Sequence, residues 1–269
     1  MRPYQWVKNI IIFFPLFFSK KLLELEAFIL SSTAFMCFIL ASSIIYIFND
    51  ICDINYDKKH PKKKFRPLAN NDLKIRDAYF LIALLSFLLS VLLKFNTVIL
   101  NNVIFFFLLN ISYSIYLKNI VIVDLVTVSL SYVVRIMAGC IIINVELSPW
   151  LLICIFYSSL FLISFKRVAE MKISGFKSRL ILNKYKKEIL LKIIDLSLVC
   201  SVIFYSLYTV LINPNLMYTI ILILIGFFRY YYLYYSIKIF EDSPVKIIFS
   251  DKPIIILLFL WTIAVLFDY

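Results

Sequence analysis

Asp50, Asp53 and Asp57 stand three and then four residues apart, directly after Asn49. On a helix that spacing sets all of them on one face, with Asn49 one turn below Asp53. Like charges on one face repel, and a divalent cation removes the penalty. Hard carboxylate oxygens suit Mg²⁺, which usually takes one or two carboxylates together with phosphate oxygens of a substrate. The chain then turns basic, Lys58-Lys59-His60-Pro61-Lys62-Lys63-Lys64-Phe65-Arg66-Pro67, and so offers Lys and Arg donors to phosphate. The chemistry implied is a metal–diphosphate site.

The elements that must position these residues are membrane helices. Of 269 residues, 63% are hydrophobic and 16% charged, and the mean hydropathy is +0.94. A soluble domain is nearer half apolar and a quarter charged, so the chain reads as an all-α integral membrane protein. Gly (3) and His (1) are scarce, which argues against a Gly-rich nucleotide loop and a multi-histidine metal centre. The net charge of +12 falls in loops between apolar runs, the pattern of membrane topology and not of nucleic-acid binding. The five cysteines lie in or beside apolar runs with no CxxC pair, so they read as buried thiols, not as a disulfide or zinc framework. No cleavable signal peptide is evident and no polar stretch is long enough to fold separately. The expectation is one membrane domain over residues 1–269.

A span needs about 20 mainly apolar residues. That rule predicts nine helices, at about 5–18, 26–50, 75–93, 97–117, 121–143, 148–166, 189–211, 215–237 and 252–268. The first holds Pro15 and is expected to begin as an interfacial segment anchored by Trp6. With the N-terminus inside, 23 Lys and Arg fall in inner segments and three in outer loops, which sets the orientation. The aspartates then face the cytoplasm. A second cytoplasmic loop opens with Lys166-Arg167-Val168-Ala169-Glu170, four helices after the first. That spacing predicts a two-halved bundle in which each half offers a loop to a shared pocket. Such a bundle is surrounded by membrane lipid and compatible with homo-oligomerisation.

Charges also occur inside the spans. Asp124 and Arg135 lie eleven residues apart in the fifth helix, close to three turns and one face. At that depth a charge faces a partner or an aqueous cavity. Two readings stay open, a functional one and a structural ion pair near a helix end. Arg229 is expected to snorkel to the inner interface, while Tyr113, Tyr116 and Lys118 close the fourth helix.

Asn49-Asp50-x-x-Asp53-x-x-x-Asp57 after a long apolar helix resembles the first aspartate-rich motif of the UbiA superfamily of intramembrane prenyltransferases. The place of that family's second aspartate pair holds Lys166-Arg167-x-x-Glu170 here. The chain also carries Arg2-Pro3-x-Gln5-Trp6-Val7-Lys8-Asn9, His60-Pro61-x-Lys63-x-Phe65-Arg66-Pro67, Tyr113-Ser114-x-x-Leu117-Lys118, Asp124-Leu125 and Arg135-x-x-Ala138-Gly139. Together with the Lys-Arg-x-x-Glu stretch, these resemble the decaprenyl-phosphate phosphoribosyltransferase branch, from residue 2 to about 171 and most strongly over 44–67.

The resemblance implies a nine-helix UbiA-type bundle and an Mg²⁺-dependent glycosyltransferase serving cell envelope biosynthesis. Its substrates would be 5-phosphoribosyl 1-diphosphate and a polyprenyl phosphate. Asp50, Asp53 and Asp57 would hold the metal, with Asn49 beside them. Lys8, Lys58, Lys63, Arg66, Lys118, Lys166 and Arg167 would bind phosphates. Asp124, Tyr113 and Arg135 would contact or orient the ribose. Glu170 would either orient Arg167 or bond a ribose hydroxyl. The rival within the fold is a prenyltransferase moving a prenyl group from its diphosphate to an aromatic or other acceptor. A transporter with an aspartate ion site is the rival outside it. Transport sites lie near the midplane on broken helices, and the second helix has no Gly or Pro to break it.

Overall fold

The computed structural model describes residues 3–58, 63–146, 148–174, 180–236 and 244–267. Every regular element among the described residues is helical. A 3-10 segment, Pro3–Phe13, leads into the short helix α1 (Phe14–Phe18). Then come α2 (Leu25–Cys52), α3 (Ile54–Asp57), α4 (Ile75–Phe95), α5 (Leu100–Ile115) and α6 (Val123–Ile142). The chain continues with α7 (Pro149–Ser174), α8 (Lys187–Leu211), α9 (Thr219–Ser236), α10 (Pro244–Ser250) and α11 (Lys252–Leu266). Among the described residues six helices are long and apolar enough to cross a membrane, α2, α4, Thr97–Ile115, α6, Pro149–Met171 and α8. Three shorter apolar helices accompany them, Gln5–Phe18, Thr219–Tyr235 and Lys252–Leu266. Of the nine crossings expected, six among the described residues meet the length and composition that a crossing needs. The contacts divide the chain into two compact units, Met1–Glu146 with Phe176–Lys184, and Leu147–Gly175 with Tyr185–Tyr269.

In the first unit α2 is the central element and packs against α4, α5, α6 and the 3-10 segment. Ala27, Ala34 and Ala41 recur at seven-residue spacing on α2 and are buried, so neighbouring helices approach closely along that stripe. At 28 residues α2 is roughly 42 Å long, against about 30 Å for a bilayer's hydrocarbon core. Its end therefore has length enough to carry Asn49 and Asp50 clear of the apolar slab.

The helical run through the aspartates is interrupted just beyond the predicted end of the second helix. Asp53 takes φ −100° and ψ 4° between α2 and α3, in the sparsely allowed bridge region. The backbone bonds Asp53 N to Asn49 O (2.9 Å) and Asp57 N to Asp53 O (2.8 Å) survive, so the chain kinks without losing its ladder. The consequence is that the three carboxylates do not share one stripe.

The N-terminal segment is also bound more deeply than an interfacial anchor would be. Trp6 Nε1 donates to Ser43 Oγ of α2 at 3.3 Å, which turns the indole toward the bundle. Gly139 of α6 permits this approach, because a Cβ there would collide with the backbone carbonyl of Ile12.

In the second unit α7 packs along α8, and α9 along α11. Phe161, Phe165, Tyr230 and Tyr234 fill the space between α7 and α9, with Phe165 and Tyr234 centroids 4.5 Å apart. Arg229 reaches the start of α11. Its Nε and Nη2 donate to Asp251 at 3.2 and 2.9 Å, and Asp251 caps α11 by accepting from Ile254 N.

Candidate metal and phosphate site

The site grows from the C-terminal end of α2, the turn after it and the turn before α6. Beyond the 3-10 turn Lys63–Phe65, Arg66 N bonds Lys63 O (3.0 Å) and Arg66 O accepts from Asn70 N (2.8 Å). Leu73 N bonds Pro67 O (3.1 Å), and Leu68 and Ala69 are buried beneath. This anchored turn aims the Arg66 head at the aspartates. One nitrogen, Nη1, donates to Asp50 Oδ1 at 3.1 Å and to Asp57 Oδ2 at 2.5 Å.

Asp53 looks elsewhere. Its Oδ1 accepts from Lys118 Nζ at 2.6 Å and its Oδ2 from Asn49 Nδ2 at 3.1 Å. Lys118 sits in the 3-10 turn Leu117–Asn119, just past α5 and not within it. Asp57 is only 4% exposed. Burial pushes its carboxyl above the usual range, and the Arg66 guanidinium opposes that shift without cancelling it.

Among the described residues no three His, Cys, Asp or Glu groups converge as a metal cluster, so the expected three-aspartate ligand set is not assembled in this conformation. Asp50 and Asp57 do fit, because an oxygen of each already reaches one cationic nitrogen and Mg²⁺ needs only one or two carboxylates beside phosphate oxygens. Asp53, paired with Lys118 and Asn49, stands beside that pair.

Of the other expected residues, Lys58 is exposed at the end of α3, while Lys63, Lys8 and Tyr113 are half-buried. Asp124 is fully buried in the first turn of α6. It follows Ile122, whose φ of 71° places a β-branched residue in the left-handed region, a strain of about 1–3 kcal/mol. Residues 59–62, with His60 and Pro61 of the expected motif, and Arg2 lie outside the described residues.

Arg135 is buried in α6 and has its own partners. Its Nε donates to Asn9 Oδ1 at 2.7 Å, and its Nη1 to the Ser131 carbonyl at 2.6 Å and Oγ at 3.1 Å. The guanidinium lies 4.7 Å from the Phe106 ring centroid, and Ser42 Oγ donates to the same Asn9 oxygen at 3.3 Å. Asn9, Ser42 and Ser131 were not anticipated as partners. The only hint was an Asn within an apolar run, beside the Lys8 that drew attention instead. In the second unit, Arg167 Nη1 donates to Glu170 Oε2 at 2.8 Å and Lys166 Nζ lies 3.9 Å from Oε1. Glu170 thus lies in contact with both basic residues of the Lys-Arg-x-x-Glu stretch.

The family model described as the UbiA prenyltransferase family matches residues 12–263. The chain belongs to that family. It is 33% identical over 218 residues to decaprenyl-phosphate phosphoribosyltransferase of Mycolicibacterium smegmatis, covering 77% of this chain and 68% of the relative. It is 30% identical to decaprenyl-phosphate phosphoribosyltransferase of Mycobacterium tuberculosis, covering 77% and 72%. In three dimensions it resembles a UbiA homolog from Archaeoglobus fulgidus bound to DMAPP and Mg²⁺. There the TM-score is 0.75 at 16% identity, over 98% of this chain and 96% of that one. That likeness concerns the fold.

Proposed function

We propose that the protein transfers a 5-phosphoribosyl group from 5-phosphoribosyl 1-diphosphate to a polyprenyl phosphate of decaprenyl type at the cytoplasmic face of a bacterial membrane, releasing diphosphate. The observation that carries this reading is the makeup of the site. Two carboxylates are set to hold one cation, and Arg66 and Lys118 lie within hydrogen-bond distance of the aspartates. A single metal–carboxylate clamp suits a reaction with one diphosphate. Additional cations suit the two monophosphates, on the ribose and on the lipid. The 33% identical relative named for this activity supports it.

In the proposed reaction an oxygen of the lipid phosphate forms a bond to C1 of the ribose. The bond from C1 to the diphosphate oxygen breaks, and its electron pair leaves with diphosphate. The lipid phosphate is already ionised at neutral pH, so its attack requires no general base. Mg²⁺ held by Asp50 and Asp57 would supply Lewis-acid neutralisation of the departing charge. Asp53, fixed by Asn49, positions Lys118. Lys8, Lys58, Lys63, Arg66, Lys118, Lys166 and Arg167 are assigned to phosphates, and Asp124, Tyr113 and Arg135 to orienting the ribose directly or through neighbours. Nine crossings with the N-terminus inside complete the proposal.

The experiment incubates purified protein with 5-phosphoribosyl 1-diphosphate, a polyprenyl phosphate and Mg²⁺, and follows ribose phosphate into the lipid fraction. Asp50→Asn and Asp57→Asn are expected to lower transfer by at least about a hundredfold, the scale of losing an electrostatic contact to the reacting groups. Unimpaired transfer in both variants would remove the metal-site assignment.

A further inference from the structure

We propose that Arg66 is the chain's own stand-in for the metal. It clamps Asp50 and Asp57 together in the metal-free protein and passes to a phosphate of the donor when a divalent cation arrives with the diphosphate. This rests on the metal–diphosphate reading above and adds how the site is held ready and in what order it fills.

The geometry carries it. The two contacts of Arg66 come from one atom, Nη1, which lies 3.1 Å from an oxygen of Asp50 and 2.5 Å from an oxygen of Asp57. A cation chelated by those two carboxylates would occupy that same place between them. Asp57 is 4% exposed, and a carboxylate so far from water is retained only with a counter-charge. Arg66 provides one while no metal is bound. A guanidinium and a divalent cation cannot share the place, because like charges a few ångströms apart in a partly buried site repel strongly.

The build of the turn makes the exchange feasible. The Arg66 backbone is tied at both its N–H and its carbonyl, to Lys63 and Asn70, so only the side chain has to move. Its side chain is 23% exposed, which leaves a way out toward water. The planar fork then matches two oxygens of a phosphate, a pairing a lysine does not reproduce. Lys118 behaves differently, since among the described residues its ion pair is to one carboxylate, that of Asp53.

Metal and donor should therefore bind with positive coupling. Metal alone must evict Arg66 into water, whereas metal arriving with diphosphate offers Arg66 a new anion.

The test titrates the purified full-length chain in detergent with Mn²⁺, reading free Mn²⁺ by its paramagnetic resonance, with and without inorganic diphosphate. In the unsubstituted protein, Mn²⁺ alone is expected to bind weakly and diphosphate to strengthen it, on the order of tenfold. In Arg66→Gln the competitor is gone. Mn²⁺ alone should then bind on the order of tenfold more tightly, and the gain from diphosphate should shrink. Arg66→Lys keeps the charge and should keep Mn²⁺ binding weak. As a second readout, Mn²⁺ should raise the unfolding midpoint of Arg66→Gln more than that of the unsubstituted chain. Mn²⁺ affinity or midpoint gain in Arg66→Gln no greater than in the unsubstituted protein overturns the inference. Tightening in Arg66→Gln alongside absent phosphoribosyl transfer by the unsubstituted protein would count against the proposed reaction and leave the role of Arg66 standing.

Discussion

Gly139→Ala and Gly226→Ala add the same methyl group to a membrane helix and are expected to move stability in opposite directions. At Gly139 the new Cβ would overlap the Ile12 carbonyl oxygen and lie 3.1 Å from the Ile12 carbonyl carbon and 3.2 Å from Pro15 Cγ. Backbone cannot rotate away, so the N-terminal segment must retreat by about 1 Å to regain ordinary contact distances. Overpacking of that kind costs about 1–3 kcal/mol. The same retreat would stretch the Arg135–Asn9 bond, now 2.7 Å, and a bond to a charged group contributes about 1.5–3 kcal/mol. Allowing for partial relaxation and the better helix propensity of Ala, Gly139→Ala should lose about 2–4 kcal/mol. Nothing lies within 4 Å of a Cβ at Gly226, so Gly226→Ala should be neutral or gain up to about 1 kcal/mol. Thermal unfolding of the purified variants in detergent, followed by the loss of monodisperse protein, reads both. A Gly139→Ala variant as stable as the unsubstituted chain, or a Gly226→Ala variant destabilised as much, would refute the close packing of the N-terminal segment on α6.

Asp251 combines an ion pair with a helix cap, and two substitutions separate them. Asn retains the capping oxygen and Ala does not, so Asp251→Ala should unfold more easily than Asp251→Asn by about 1 kcal/mol. Thermal unfolding of the pair at neutral pH checks the difference. Hydrogen bonding from Arg229 holds the Asp251 carboxyl below its ordinary 3.8, so its stabilisation is present above that value and lost only as pH falls through the lower folded one. Asp57 has the opposite sign. Burial raises its carboxyl above 3.8, so the metal-free folded protein holds that proton more tightly than the unfolded chain. Its contribution to stability therefore falls as pH rises from 3.8 through the raised value. Asp57→Asn should remove that part of the slope in unfolding midpoints measured with chelator across acidic pH.

The apolar runs were legible because bilayer thickness fixes their length, and the aspartate motif was legible because its spacing lies within one chain segment. The break at Asp53 was not, since spacings of three and four suit an unbroken helix and a bridge-region residue has no sequence mark. The sequence marks Arg66 as a hydrogen-bond donor to phosphate, and its two carboxylate partners depend on where the anchored turn over 63–73 sets its side chain. Arg135 finds Asn9 across 126 residues and Arg229 finds Asp251 across 22. Pairings of that kind are set by helix packing, and a single sequence carries no record of them. Asp124 and Arg135 share a face in sequence, yet the hydrogen bonds found for Arg135 lead to the N-terminal segment and its own helix.

Label position decides the direction of transfer. One batch of 5-phosphoribosyl 1-diphosphate carries label in its 5-phosphate and a second in its terminal diphosphate phosphorus. Each is incubated with the purified protein, Mg²⁺ and a polyprenyl phosphate, and the lipid and aqueous phases are then counted. The 5-phosphate label is expected to enter the lipid and the diphosphate label to stay in water as free diphosphate. Absence of both labels from the lipid, with turnover of a prenyl diphosphate in the same preparation, would contradict this direction.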